Sequence, residues 1–267
     1  MRSPACGEGA ASGLAGMRRD EVYAQLAKVS DPELDQALTE LGFIGGVELD
    51  GATVTVRFRL PTFWCAANFA FIMAADIRDR VGELPWVERV DVRLKDHFFE
   101  DEINSGINSG KTFVETFPQL ATGDLDELRE TFRGKAFLAR QERLLRRLLA
   151  LGWSEDAILA LRVGDLLGLP LASEDLALAE RYLAIRRERG LGGDVDRPAF
   201  VRPDGRPMEP AAFKVDLAHA QRTRLSVEFN AAFCRGMLET RYGERTANAP
   251  ESPDEVARRR DTRRCAE

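Results

Sequence analysis

No two of the chain's four cysteines, Cys6, Cys65, Cys234 and Cys265, are close in sequence, and no CxxC or CxxH spacing occurs. That pattern excludes a self-contained zinc or iron–sulfur site of the usual kind and gives no basis for a disulfide framework. Histidine is nearly absent, with only His97 and His219. No Ser/His/Asp arrangement or Gly-rich dinucleotide loop is visible. The longest nearly apolar run, 65–75, is too short to span a bilayer and contains Asn68. A basic, apolar leader is also missing. The first residues are rich in Gly, Ala and Ser, so 1–19 reads as a disordered lead with Met17 as an alternative start. These absences point to a soluble, cytoplasmic protein without a membrane partner.

One apparent phosphate-binding motif fails on inspection. Ser109-Gly110-Lys111-Thr112 resembles the end of a P-loop, but the position five residues before Gly110 is Ser105. The next available glycine, Gly106, leaves the loop one residue short, and the run from Phe113 to Pro118 is expected to allow no long helix. The stretch reads as a polar turn, preceded by a doubled Ile-Asn-Ser-Gly.

What is present is an ordinary globular composition, 44% apolar and 31% charged, in a chain of 267 residues, enough for roughly two domains. The net charge of −6 is concentrated at the front, where residues 20–100 carry 15 acidic against 8 basic side chains. A surface of that sign repels phosphate backbones and argues against nucleic acid. The arginines at 186, 187, 189, 222 and 224 are interspersed with acids and read as solvated helix faces.

The apolar period changes in an orderly way along residues 20–97. Val22, Leu26 and Val29 share a helical face. Asp31-Pro32-Glu33 reads as the start of a second helix that stops at Gly42. A hairpin turns at Asp50-Gly51, with alternation over 54–60. A helix over about 65–82 and a strand over 88–94 complete an α-α-β-β-α-β domain. Residues 98–122 read as an irregular connector and 123–243 as a helical domain. That domain has helix starts at Asp124, Ser154 and Ser173, a stop at Gly190 and a turn at Asp204-Gly205. Residues 244–267 read as a disordered tail. The fold class is α+β, followed by a mostly helical region.

Cys65 follows a broken strand and begins a helix, where the helix dipole and free amides favour thiolate. A buried cysteine filling a core gap is the alternative. Asp31 and Glu33 are paired carboxylates suited to acid–base work, although capping is the reading favoured for Asp31. Asp96, His97, Glu100, Asp101 and Glu102 form a metal-ligand type cluster or a solvated acidic loop. His219 reads as a packed or surface histidine.

Asp31-Pro32-Glu33-Leu34, Leu41-Gly42-Phe43-Ile44, the hairpin, Leu60-Pro61-Thr62 leading to Cys65, the helix, and Val90-Asp91-Val92 together resemble the MIP18 (DUF59) family. That family includes SufT-like and PaaD-like iron–sulfur assembly accessory proteins. The resemblance covers about residues 21–97. Ala66 stands where many relatives have proline, and Lys95-Asp96-His97 replaces a frequent proline-tryptophan ending. The resemblance implies a non-enzymatic accessory factor that handles iron or an iron–sulfur cluster transiently through Cys65. His97 and Asp96 are further candidate metal ligands. Because one cysteine cannot complete a four-thiolate site, a homodimer, the assembly machinery or a client metalloprotein is an expected partner. By the PaaD-like resemblance, the client would be a multicomponent oxygenase. A metal-free folding or interaction adaptor and a thiol enzyme using Cys65 are the alternatives.

Overall fold

The computed structural model describes residues 8–120 and 125–243. The first domain opens with helix α1 (Glu8–Leu26), which buries Val22 and Leu26. Much of the stretch expected as a lead thus belongs to this helix. Strands β3 (Ile44–Asp50) and β4 (Thr53–Arg59) form the expected hairpin, turning at Gly51 with φ of 60°. Helix α2 (Ala67–Gly82) carries the chain over to β5 (Arg89–Lys95), which pairs parallel to β4. The sheet order is therefore β3-β4-β5. The central strand β4 buries Val54, Val56 and Phe58 on one face, as its alternation requires.

The second expected helix does not form. Residues 30–37 instead fold back as two short strands, β1 (Ser30–Asp31) and β2 (Gln36–Ala37). The Asp31 carboxylate accepts the amides of Glu33 at 2.8 Å and Leu34 at 3.0 Å, and Asp35 takes a left-handed φ of 51°. A short acidic side chain that bonds nearby amides offers the backbone an alternative to helix. Leu34, Leu38 and Leu41 are still buried, so the apolar spacing is satisfied by turns. The mixed α+β class stands.

The expected connector is also structured. Helix α3 (Glu100–Asn108) lies along the open edge of β5, and α4 (Phe113–Thr116) follows. Each Ile-Asn-Ser-Gly unit is about one helical turn. Ile103 and Ile107 are buried in the core. Asn104 bonds both the amide and the carbonyl of Leu94, at 2.8 and 3.0 Å. Asn108 does the same at Val92, at 2.9 Å for each bond. The two asparagines thus satisfy an edge that would otherwise pair with another strand. A Cβ at Gly106 would overlap the Thr116 hydroxyl. Thr112 forms a capping box with Glu115 that starts α4. Asn108→Ala strands two backbone groups of β5 and is expected to lower stability by about 1–3 kcal/mol in urea unfolding.

The helical half contains α5 (Asp126–Ala150), α6 (Glu155–Ala160), α7 (Val163–Gly168), α8 (Ser173–Glu188) and α9 (Phe213–Tyr242). Ser154 caps α6 as expected, but Ala172, not Ser173, precedes α8. The stop at Gly190 and the turn at Gly205 have φ of 65° and 84°. The expected start at Asp124 and the tail at 244–267 lie outside the described residues, as do Cys6 and Cys265.

Helix α9 has 30 residues, about 45 Å by its rise. Its first half, through Phe213 and Leu217, packs in a core with Phe137, Leu145, Leu148 and Tyr182. Its last half contributes Ala231, Leu238 and Tyr242 to the core of the first domain. One helix therefore belongs to both cores. The two parts are also tied by ion pairs from Arg129 to Asp76 and from Arg140 to Asp35.

Candidate functional site

Pro61 has no amide to extend β4, so the chain leaves the sheet in a loop that carries Cys65 to the start of α2. Ala66 precedes the first helical residue, which places Cys65 just outside the helix. The half-buried Cys65 thiol is hydrogen-bonded to the Thr62 hydroxyl at 3.1 Å.

The loop after β5 braces this segment. Asp96, with a left-handed φ of 57°, turns the chain so that His97 points inward. The Phe99 amide donates to His97 Nδ1 at 3.1 Å, so the ring proton sits on Nε2, which donates to the Cys65 carbonyl at 2.8 Å. Burial and Arg241 push the His97 pKa down, in keeping with a neutral ring. The Phe98 amide donates to the Phe63 carbonyl at 2.8 Å as a second strut. Both ring nitrogens are engaged, so the histidine expected as a metal ligand serves here as a clamp on the Cys65 backbone.

The acidic run beside it has local partners. The Asp96 carboxylate accepts the Tyr242 hydroxyl at 3.1 Å, and its carbonyl accepts Arg241 at 2.7 Å. Glu100 bonds Lys95 at 2.7 Å and the Asp96 amide at 2.9 Å. Glu100, Asp101 and Glu102 form the first turn of α3, where negative charge interacts favourably with the positive end of the helix dipole. Among the described residues, no group of three or more His, Cys, Asp or Glu side chains is placed to hold a metal ion.

The structure instead brings a second thiol to this region. Cys234, on α9, packs half-buried against the same core as Cys65. Burial pushes its pKa up to about 11, and Asp31, Cys65 and Glu33 are near enough to add to the shift. Asp31 is only 8% exposed, and its carboxyl is pushed up to about 6, chiefly by burial. Glu33 accepts the Asn230 amide at 3.4 Å, one turn before Cys234. Helix α9 thus crosses the first domain beside the Asp31–Glu33 turn.

An apolar groove of about 600 Å3 opens beside the cysteine loop. Pro61, Phe63 and Trp64 line one wall, and Phe233, Met237 and Arg241 of α9 line the other. Trp64 is 78% exposed, and Phe98, edge-on to Phe63, is 63% exposed.

A family model described as "Iron-sulfur cluster assembly protein" matches residues 19–92. An uncharacterized protein of Methanocaldococcus jannaschii is 32% identical over 88 residues, which are 32% of this chain and 90% of that relative. The chain belongs to the iron–sulfur cluster assembly protein family. The matched segment runs from α1 into β5 and contains Asp31, Glu33 and Cys65. A general role in iron–sulfur assembly goes with that membership. No helix among the described residues is long and apolar enough to cross a membrane.

Cys234 lies beyond the family's matched segment, and its place against the first core was not read from the sequence. A signal was available, because Cys234 is in helical phase with Ala231 and Leu238, the residues through which α9 enters the first core. Only the fold shows which core that phase faces.

Proposed function

We propose that the protein is a carrier in iron–sulfur assembly, taking iron or a cluster at Cys65 and passing it to a client metalloprotein. The observation that carries this reading is the placement of Cys65. Its thiol is half-buried within the family segment, and its backbone is held by His97. Such a thiol is pre-positioned and can be reached by a partner. The aromatic groove supports docking of the client there, since a client's cysteines must approach Cys65 to receive the cargo.

The role is non-enzymatic. Thiol catalysis would need a base on Cys65, and His97 has both nitrogens committed to backbone groups. A metal-free adaptor is the second reading, and the exposed groove is what favours it.

The test is anaerobic reconstitution with iron and sulfide, followed by desalting and measurement of bound iron and visible absorption. Cys65→Ser is expected to lose the bound iron while remaining folded. Equal iron in wild type and Cys65→Ser would overturn the carrier and leave the adaptor.

A further inference from the structure

We propose that the apolar groove beside the cysteine loop is the docking site for an acidic amphipathic segment of the client. This rests on the carrier reading above and names the chemistry of the partner that the groove takes.

The apolar face extends beyond the groove. Leu225 and Phe229 share a helical phase with Phe233, Gly236 and Thr240, so the α9 wall continues as an exposed stripe about 22 Å long. Phe229 is 71% exposed and Phe233 59%. Across the groove, Phe63 makes edge-on ring contacts with Trp64 and Phe98. A large aromatic side chain carries about 150–250 Å2, so these five leave on the order of 500 Å2 of aromatic surface in water. A continuous patch of that size marks a binding surface. Between Phe233 and Met237 the floor of the groove is bare backbone, because a Cβ at Gly236 would meet nothing within 4 Å. A bulky apolar side chain of a partner fits there.

Charge selects the partner. Among the described residues, Arg241 is the one charged side chain lining the groove, and its hydrogen bonds go to the backbone carbonyls of Leu60 and Asp96. Arg222, one turn before Leu225 on the same face, is exposed. Neither arginine has a carboxylate of the described residues within ion-pair distance. The acids of this part of α9 are offset, since Glu228 pairs with Arg143 and Arg224, and Glu239 follows Arg235 by one turn. The stripe is therefore apolar along its middle with an unpaired cation towards each end, and carboxylates on a partner complement it. A second copy would meet this face through the same patch and set its arginines against their own counterparts. A concave floor also suits an inserted side chain better than a flat lipid surface.

The experiment selects peptides from a random phage-displayed library on the immobilised, metal-free full chain. Peptides of about 15 residues are long enough to follow the stripe as a helix. The selected sequences are expected to combine bulky apolar residues with Asp and Glu and to be poor in Lys and Arg. Fluorescence anisotropy of a labelled selected peptide then compares wild type, Trp64→Ser, Gly236→Glu and Arg222→Glu, each shown to be folded by circular dichroism melting. Trp64→Ser and Gly236→Glu are expected to weaken binding at least about tenfold, as loss of a central anchor does. Arg222→Glu, which reverses an unpaired charge, is expected to weaken it about fivefold, with a smaller loss at high salt. Basic peptides, no selected peptide, or equal binding by all four proteins overturns the proposal. Wild-type binding to phosphatidylglycerol vesicles, or a wild-type dimer in sedimentation, that Gly236→Glu abolishes gives the face to a membrane or a second copy and overturns it too. Because the peptide is measured on metal-free protein, failure of iron loading at Cys65 leaves the docking result standing, and failure of docking leaves the carrier.

Discussion

Arg140→Met is expected to lower the unfolding free energy by about 3–5 kcal/mol, because it leaves the buried Asp35 carboxylate without its charge partner. Asp35 is 5% exposed and sits in the turn between β1 and β2. Arg140 Nε donates to both of its oxygens, at 3.2 and 3.0 Å, and Nη2 adds a bond of 2.6 Å. Arg140 Nη1 also donates to the Arg181 carbonyl at 3.0 Å, and Arg181 in turn donates to the Asp35 carbonyl at 3.3 Å. One turn of the first domain is thereby held by both α5 and α8. Methionine keeps the aliphatic bulk and removes every donor, so the loss reports the stranded charge rather than a cavity. Adding Asp35→Asn is expected to restore most of the stability, since asparagine tolerates the left-handed φ and carries no charge. Urea unfolding of the two variants checks this. A loss below about 1 kcal/mol for Arg140→Met would show that the pair contributes no more than a surface bridge.

The parts of the fold that were legible are those in which local pattern and tertiary demand agree. Val54, Val56 and Phe58 alternate, Asp50-Gly51 turns, and the hairpin forms where expected. Ser154 is a good cap and is used as one. Misreadings arose where two local signals compete. Asp31-Pro32-Glu33 carries every sign of a helix start, but the same aspartate can bond two amides in a turn, and Asp35 turns the chain back. The Ile-Asn-Ser-Gly repeat was obscured because its residues favour loops in isolation. Their helix is stabilised by the open edge of β5, which is a tertiary partner. For the site, the sequence put forward Cys65, Asp31, Glu33, His97 and Asp96 together as candidates. In the fold, His97 bonds the Cys65 carbonyl and Asp96 accepts the Tyr242 hydroxyl.

Asp31→Asn is expected to stabilise the protein at neutral pH by up to about 3 kcal/mol, with the gain vanishing near pH 4. The sign follows from burial. The folded-state pKa of about 6 lies above the ordinary value of 3.8. Between those values the native state binds the proton more tightly than the unfolded chain, so stability falls as pH rises through the folded pKa. At pH 7 the buried carboxylate is ionised, and its burial opposes folding. Asparagine keeps the oxygen that accepts the Glu33 and Leu34 amides, so the turn is retained while the charge is removed. Urea unfolding at several values between pH 4 and 8 measures the difference. An equal effect at every pH, or a variant less stable than wild type at pH 7, would refute the assignment. An acid whose ionisation works against the fold fits a functional role better than a structural one.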